Sequence, residues 1–143
     1  MDLVRTMDLA ASGMTAQRTR LNVISMNLAN ANTTRTSAGT PYRRKTVIFE
    51  GVPIGNAFDT HLQNALGNRI YGVRVKEIMP VSGAFKKIFD PAHPDADRYG
   101  YVYLPNVNLV QEMVNMLNAN RSYEANASVI KTAKDMALKA LDI

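Results

Sequence analysis

Helix breakers are confined to the middle of this chain. All six prolines and seven of the eight glycines lie between Gly39 and Pro105, and Gly13 alone lies outside that window. Proline removes a backbone donor and clashes with the preceding turn, while glycine adds chain entropy, so regular helix is disfavoured wherever they cluster. Residues 1–32 and 106–143 are left almost free of them. The order helix, turn-rich insert, helix follows. At 1.5 Å per residue the two helices would run roughly 45 and 50 Å, too long and thin to close a globular core by themselves.

Periodicity agrees with that division. In the first segment Leu3, Met7, Ala10, Met14, Gln17, Leu21, Ile24, Leu28 and Ala31 are spaced alternately by four and three. This is the a/d pattern of a helix that lies against partners along its length. In the last segment Leu109, Met116, Tyr123, Ile130 and Ala137 recur every seven residues. Met113, Ala127 and Leu141 fill the alternating column, which Asn120 and Lys134 interrupt. Pro105 ends the preceding strand, and Asn108 with Gln111 predicts an N-cap with a reciprocal bond three residues on. Asparagines crowd both segments, at 22, 27, 30 and 32 and at 106, 108, 115, 118, 120 and 126. Asn competes for backbone hydrogen bonds inside a helix, so its repeated use predicts a role in register and partner choice.

The insert reads as short strands. Over 70–79, Tyr71, Val73 and Val75 alternate with Arg74 and Lys76. Over 99–104, Tyr99, Tyr101 and Tyr103 are expected on one face and Gly100, Val102 and Leu104 on the other. A third strand is expected over 43–49. Such strands predict a small β-subdomain on a helical stalk rather than a sandwich or barrel. The expected fold is mainly α, with an N-terminal helix in 1–32, a loop and small β-containing insert in 33–105, and a C-terminal helix in 106–143. The two helices together form one domain.

Several chemistries are excluded. The 143 residues include no cysteine, which removes disulfides, thiol catalysis and Cys-based zinc sites. No run of about 18 apolar residues is present, so no transmembrane helix is expected. Asp2, Arg5 and Asp8 interrupt the place of a secretory signal's apolar segment. His61 and His93 stand in no catalytic or metal-ligand motif. The run Asp90, His93, Asp95, Asp97 resembles a calcium loop, but Tyr99 and Asn106 occupy ligand positions, and Pro91 and Pro94 favour a rigid acidic turn. No Ser-His-Asp set, paired-carboxylate motif or phosphate-cradling glycine loop is visible. The expectation is a non-enzyme without cofactor or metal. The net charge of +5 falls largely in the first fifty residues, including Arg43, Arg44 and Lys45. Those three cations with the Tyr99, Tyr101 and Tyr103 row leave an alternative reading as a small basic nucleic-acid-binding protein.

One signature goes further. The run from Ser25 to Thr34, with Asn27, Ala29, Asn30, Asn32 and Thr33, is followed by Gly39, Pro41 and Tyr42 and then by Arg43, Arg44 and Lys45. It resembles the N-terminal signature of the flagellar basal-body rod proteins. The loop Thr33-Thr34-Arg35-Thr36, the 90–97 turn leading to Pro105-Asn106-Val107-Asn108, and the short length are most similar to the proximal-rod members of that family. The run Asn120-Arg121-Ser122-Tyr123-Glu124-Ala125-Asn126 is similar to the family's closing helix. Thr40 stands where a smaller residue is usual.

The resemblance implies a structural subunit of the rod that crosses the periplasm and transmits torque, its terminal helices packed as an axial coiled-coil layer with the insert outside. It implies export through the flagellum's own type III channel without signal cleavage. Implied partners are further copies, the rod proteins FlgB, FlgF and FlgG, the rod-to-ring adapter FliE and the export apparatus. The expected subunit contacts are Leu3, Met7, Met14, Leu21, Ile24 and Leu28 on the first seam and Leu109, Met113, Met116, Asn120, Tyr123, Ile130 and Leu141 on the second.

Overall fold

The computed structural model describes residues 3–54 and 70–141. Two long helices, α1 (Leu3–Ala29) and α2 (Leu109–Leu141), flank four strands, as the placement of glycine and proline predicts. The strands β1 (Lys45–Pro53) and β2 (Tyr71–Pro80) form one antiparallel ribbon, and β3 (Lys86–Phe89) and β4 (Tyr101–Leu104) form another. The short β3 has no alternation to announce it and is absent from the sequence reading. Tyr99 precedes β4 and lies in the turn, so Tyr101 and Tyr103 alone share a strand face.

α2 starts where Asn108 caps it. The Asn108 side-chain oxygen accepts from the Gln111 N–H at 3.2 Å, and its carbonyl accepts from the Glu112 N–H at 2.9 Å. The reciprocal half of the expected cap is missing, because the Gln111 amide donates along the helix to Asn115.

The helices are antiparallel. Near one end Asn27 meets Glu112, and midway along α1 Gly13 meets Asn126. Their closeness explains the one glycine outside the insert. A Cβ on Gly13 would come within 2.8 Å of the Asn126 amide nitrogen, inside van der Waals contact. Small side chains line the rest of the seam, with Ala10 and Ala16 buried on α1 and Ala119 and Ala133 on α2.

α1 also carries the β1–β2 ribbon on a second side. The Val73 N–H donates to the Ser12 hydroxyl at 3.2 Å, and a Cβ on Gly72 would lie 3.1 Å from that oxygen. Two coverings bury a wider arc than one heptad seam: Ala16, Val23 and Asn27 are buried although none stands at an expected seam position. The β3–β4 hairpin sits instead on the loop after α1, where Thr34 donates to Asp95 at 2.7 Å and the Arg43 guanidinium lies 4.7 Å from the Phe85 ring centre.

The buried apolar set is small. Among the described residues it consists of five alanines, Val23, Ile24, Tyr42 and Val102. Many larger apolar side chains on α2 face outward instead.

Candidate functional site

The densest polar chemistry lies where α1, α2 and the start of β1 converge. Asn27 and Glu112 are each 1% exposed there. The Asn27 amide nitrogen donates to the Lys45 carbonyl at 2.8 Å and to Glu112 Oε2 at 3.1 Å. Its oxygen accepts from the Tyr42 hydroxyl at 2.9 Å and from the Lys45 N–H at 2.8 Å. All four bonds an amide side chain can make are formed.

Glu112 completes the cluster. Its Oε1 accepts from both Nε and an Nη of Arg44, each at 2.7 Å, so both carboxylate oxygens are bonded. A buried carboxylate costs several kcal/mol unless paired and hydrogen-bonded, and Arg44 with Asn27 meets both conditions. Burial, and secondarily the negative charge of Glu112, raises the Tyr42 pKa above the ordinary value of 10.0. The phenol therefore stays a donor to Asn27 throughout the neutral range. Nothing in this arrangement is a nucleophile or a poised acid. It is a clasp, with four groups from three segments fixed in one register.

The rest of the signature builds the loop that brings Tyr42 and Arg44 back to Asn27. Ala29 ends α1. Asn30 donates to the Met26 carbonyl at 2.9 Å and accepts from Thr33, and the Thr33 carbonyl accepts from the Tyr42 N–H at 3.2 Å. Gly39 turns the chain at φ 74°, a left-handed conformation that side chains disfavour. Pro41 is half-buried and Asn32 exposed.

The expected seam residues separate into two groups. Ile24 is buried, while Leu3, Met7, Met14, Leu21 and Leu28 are half-buried. On α2, Met116, Tyr123 and Ile130 are half-buried, whereas Leu109, Met113, Asn120 and Leu141 are exposed. The column of α2 turned to α1 includes Glu112, Ala119, Asn126 and Ala133, seven residues apart and small or polar. Apolar periodicity gives that column no signal. Glu112 was therefore missed, and an acid in heptad register with Ala119 and Ala133 was the available clue.

The other candidates are bound up locally. Asp97 accepts from the Tyr99 and Tyr101 N–H groups at 2.8 and 2.9 Å, and these bonds, the one from Tyr101 foremost, hold its carboxyl below the usual range. His93 accepts from the Asp95 N–H at 3.1 Å within the same turn, and His61 lies outside the described residues. Among the described residues no three acidic or histidine side chains are grouped to hold a metal ion. Of the cations in the nucleic-acid alternative, Arg44 is engaged by Glu112 and Arg43 lies over Phe85. Tyr101 in turn carries the Lys87 ammonium 3.9 Å from its ring centre.

Residues 7–35 match the family described as flagella basal body rod protein, and residues 98–143 match the flagellar basal body rod FlgEFG protein C-terminal family. The flagellar basal-body rod protein FlgC of Borreliella burgdorferi is 45% identical over all of this chain and 98% of its own length. The FlgC proteins of Escherichia coli and Bacillus subtilis are 41% and 39% identical, each over the whole chain and 98% and 99% of theirs.

Proposed function

The chain belongs to the flagellar basal-body rod protein family, as a structural subunit of the FlgC type, and from that premise we propose how its geometry serves assembly. Full-length identity at 39–45% carries the family, and nothing supports the nucleic-acid alternative. Its role is structural rather than catalytic, in association with other rod and basal-body components.

In our reading, 1–32 and 106–143 act as one axial unit, with 33–105 outside it, and the terminal helices form a coiled-coil layer around the rod axis. The clasp fixes their register at one end, and neighbouring subunits complete the remainder. The observation behind this is the unbalanced surface of α2: Val110 is 71% and Met113 62% exposed, while the buried apolar set is mostly alanine. Ordering a residue costs about 1–2 kcal/mol, so helices this thinly buried are marginal until neighbours cover them. Marginal helices suit passage through a narrow export channel, and the proposed route is the flagellum's own type III system without a cleaved signal. No helix among the described residues is long and apolar enough to cross a membrane. Proposed neighbours are further copies, FlgB, FlgF, FlgG and the adapter FliE. The half-buried Leu3, Met7, Met14, Leu21, Leu28, Met116, Tyr123 and Ile130 and the exposed Leu109, Met113, Asn120 and Leu141 supply contacts, while the buried Ile24 packs within the chain.

Deleting the gene tests the assignment. The deletion strain should be non-motile without hook or filament and be rescued by the gene in trans, with the protein recovered in purified basal bodies. Normal swimming would overturn it.

A further inference from the structure

Two apolar faces of this chain point away from everything that α1 organises. On α2, Glu112, Met116 and Ala119 turn toward α1, so by the 100° helical step Val110, Val114 and Leu117 fall on the far side and Met113 on its flank. These four side chains are 47–71% exposed. In the ribbon, Val47 pairs with Ile78, Phe49 with Val75 and Gly51 with Val73, and a register shift between Ile48 and Phe49 that leaves Lys76 unpaired keeps Ile78 on the face of Val75 and Val73. Gly72 and its partner Val52 belong to the opposite face, and Gly72 is the residue against Ser12 of α1. The other face carries Phe49, Val73, Val75 and Ile78, with Val47 at the end where the ribbon meets Val23 and Ile24 of α1, and Lys45 is the one charged residue among its paired positions. An antiparallel ribbon with one solvated face ordinarily turns polar side chains outward. This one leaves Val73 and Ile78 39% and 45% exposed, with Phe49 and Val75 half-buried beside them.

Resting on the rod-subunit reading, we propose that the outward face of the β1–β2 ribbon receives the outer face of α2, around Val110 to Leu117, from a second copy of this chain. A helix ridge laid on an apolar sheet face is a standard way to bury both. The two faces cannot meet within one molecule, because α1 lies between them. Ser12 touches the ribbon and Gly13 touches α2. Successive helical residues point about 100° apart, so the two faces diverge by a similar angle. Joining unlike faces at such an angle is a heterologous contact, and its repetition carries copies around an axis instead of closing a two-fold dimer. The rims are also complementary: Glu124, seven residues past Leu117 on the same side of α2, offers a carboxylate, and Lys45 closes the sheet face with an ammonium.

The absence of cysteine makes the contact directly testable. Val73→Cys and Met113→Cys are placed singly and together in the full chain, expressed in the deletion strain, and basal bodies are oxidised mildly before a non-reducing gel. We expect the double variant to give a ladder of multimers of this chain and each single variant to remain monomeric. Val73→Cys or Met113→Cys alone linking to itself would mean a two-fold contact and overturn the proposal. A band joining either thiol to a different rod protein would overturn the second copy as occupant. An unlinked double variant in motile cells would refute this interface while leaving the rod reading intact, and absence of the unsubstituted protein from basal bodies would refute the rod reading itself.

Discussion

Glu112→Ala is the perturbation with the largest consequence. It strips the counter-charge from Arg44, whose side chain is 29% exposed, and leaves one Asn27 N–H in buried space without an acceptor. Breaking a buried pair by removing one partner costs about 3–5 kcal/mol, and the partial exposure of Arg44 favours the lower end. A stranded buried donor alone costs about 1–3 kcal/mol, and the two penalties overlap. The net expectation is about 3–4 kcal/mol, or roughly 10–15 °C in Tm for a chain of this size. Urea unfolding followed by helical circular dichroism would read it as a lower midpoint at unchanged slope. Arg44→Ala in the same background should add little, because the charge it removes is already unpaired. A Glu112→Ala midpoint within about 0.5 kcal/mol of wild type would refute the clasp, as would strict additivity of the two substitutions.

Three further outcomes follow from particular contacts. Tyr42→Phe removes the donor to Asn27 and should cost about 1 kcal/mol at neutral pH. The Tyr42 pKa is raised in the fold, so its contribution is complete below the ordinary tyrosine range and is lost as pH rises through the folded value. Denaturant midpoints between pH 9 and 11 should therefore fall less steeply in Tyr42→Phe than in wild type. Gly13→Ala should gain the roughly 1 kcal/mol of alanine's helix preference only beside Asn126→Ala, where the Asn126 side chain no longer crowds the new methyl. Equal effects in both backgrounds, measured by thermal melts, would contradict the close approach. Gln17 Oε1 is buried without a donor, so Gln17→Met should raise the Tm of the isolated protein, and a lower Tm would count against that reading.

The broad plan of the molecule is written in its breakers and periodicities. Confining proline and glycine to the centre marks both helices, and Asn108 marks the start of α2. The β1–β2 ribbon is legible from alternation at Tyr71, Val73 and Val75. Hydrophobic spacing misses what the tertiary fold decides. The face of α2 toward α1 includes Glu112, Ala119, Asn126 and Ala133, so its packing depends on small size and hydrogen bonding rather than apolar character. Arg44 reads in sequence as one of three surface cations, and only the loop that returns Tyr42 to Asn27 brings it onto a carboxylate 68 residues away. Tyr42 and Asn27 stand in the family signature, but their bond joins positions 15 apart that no local rule pairs.

Hydrogen exchange on the free protein and on purified basal bodies tests most directly the claim that neighbours complete these helices. The account predicts protection near Asn27 and Glu112 in both samples. It also predicts fast exchange at 130–141 in the free protein that slows by orders of magnitude in the rod. Uniform protection along α2 in the free protein, unchanged on assembly, would contradict it.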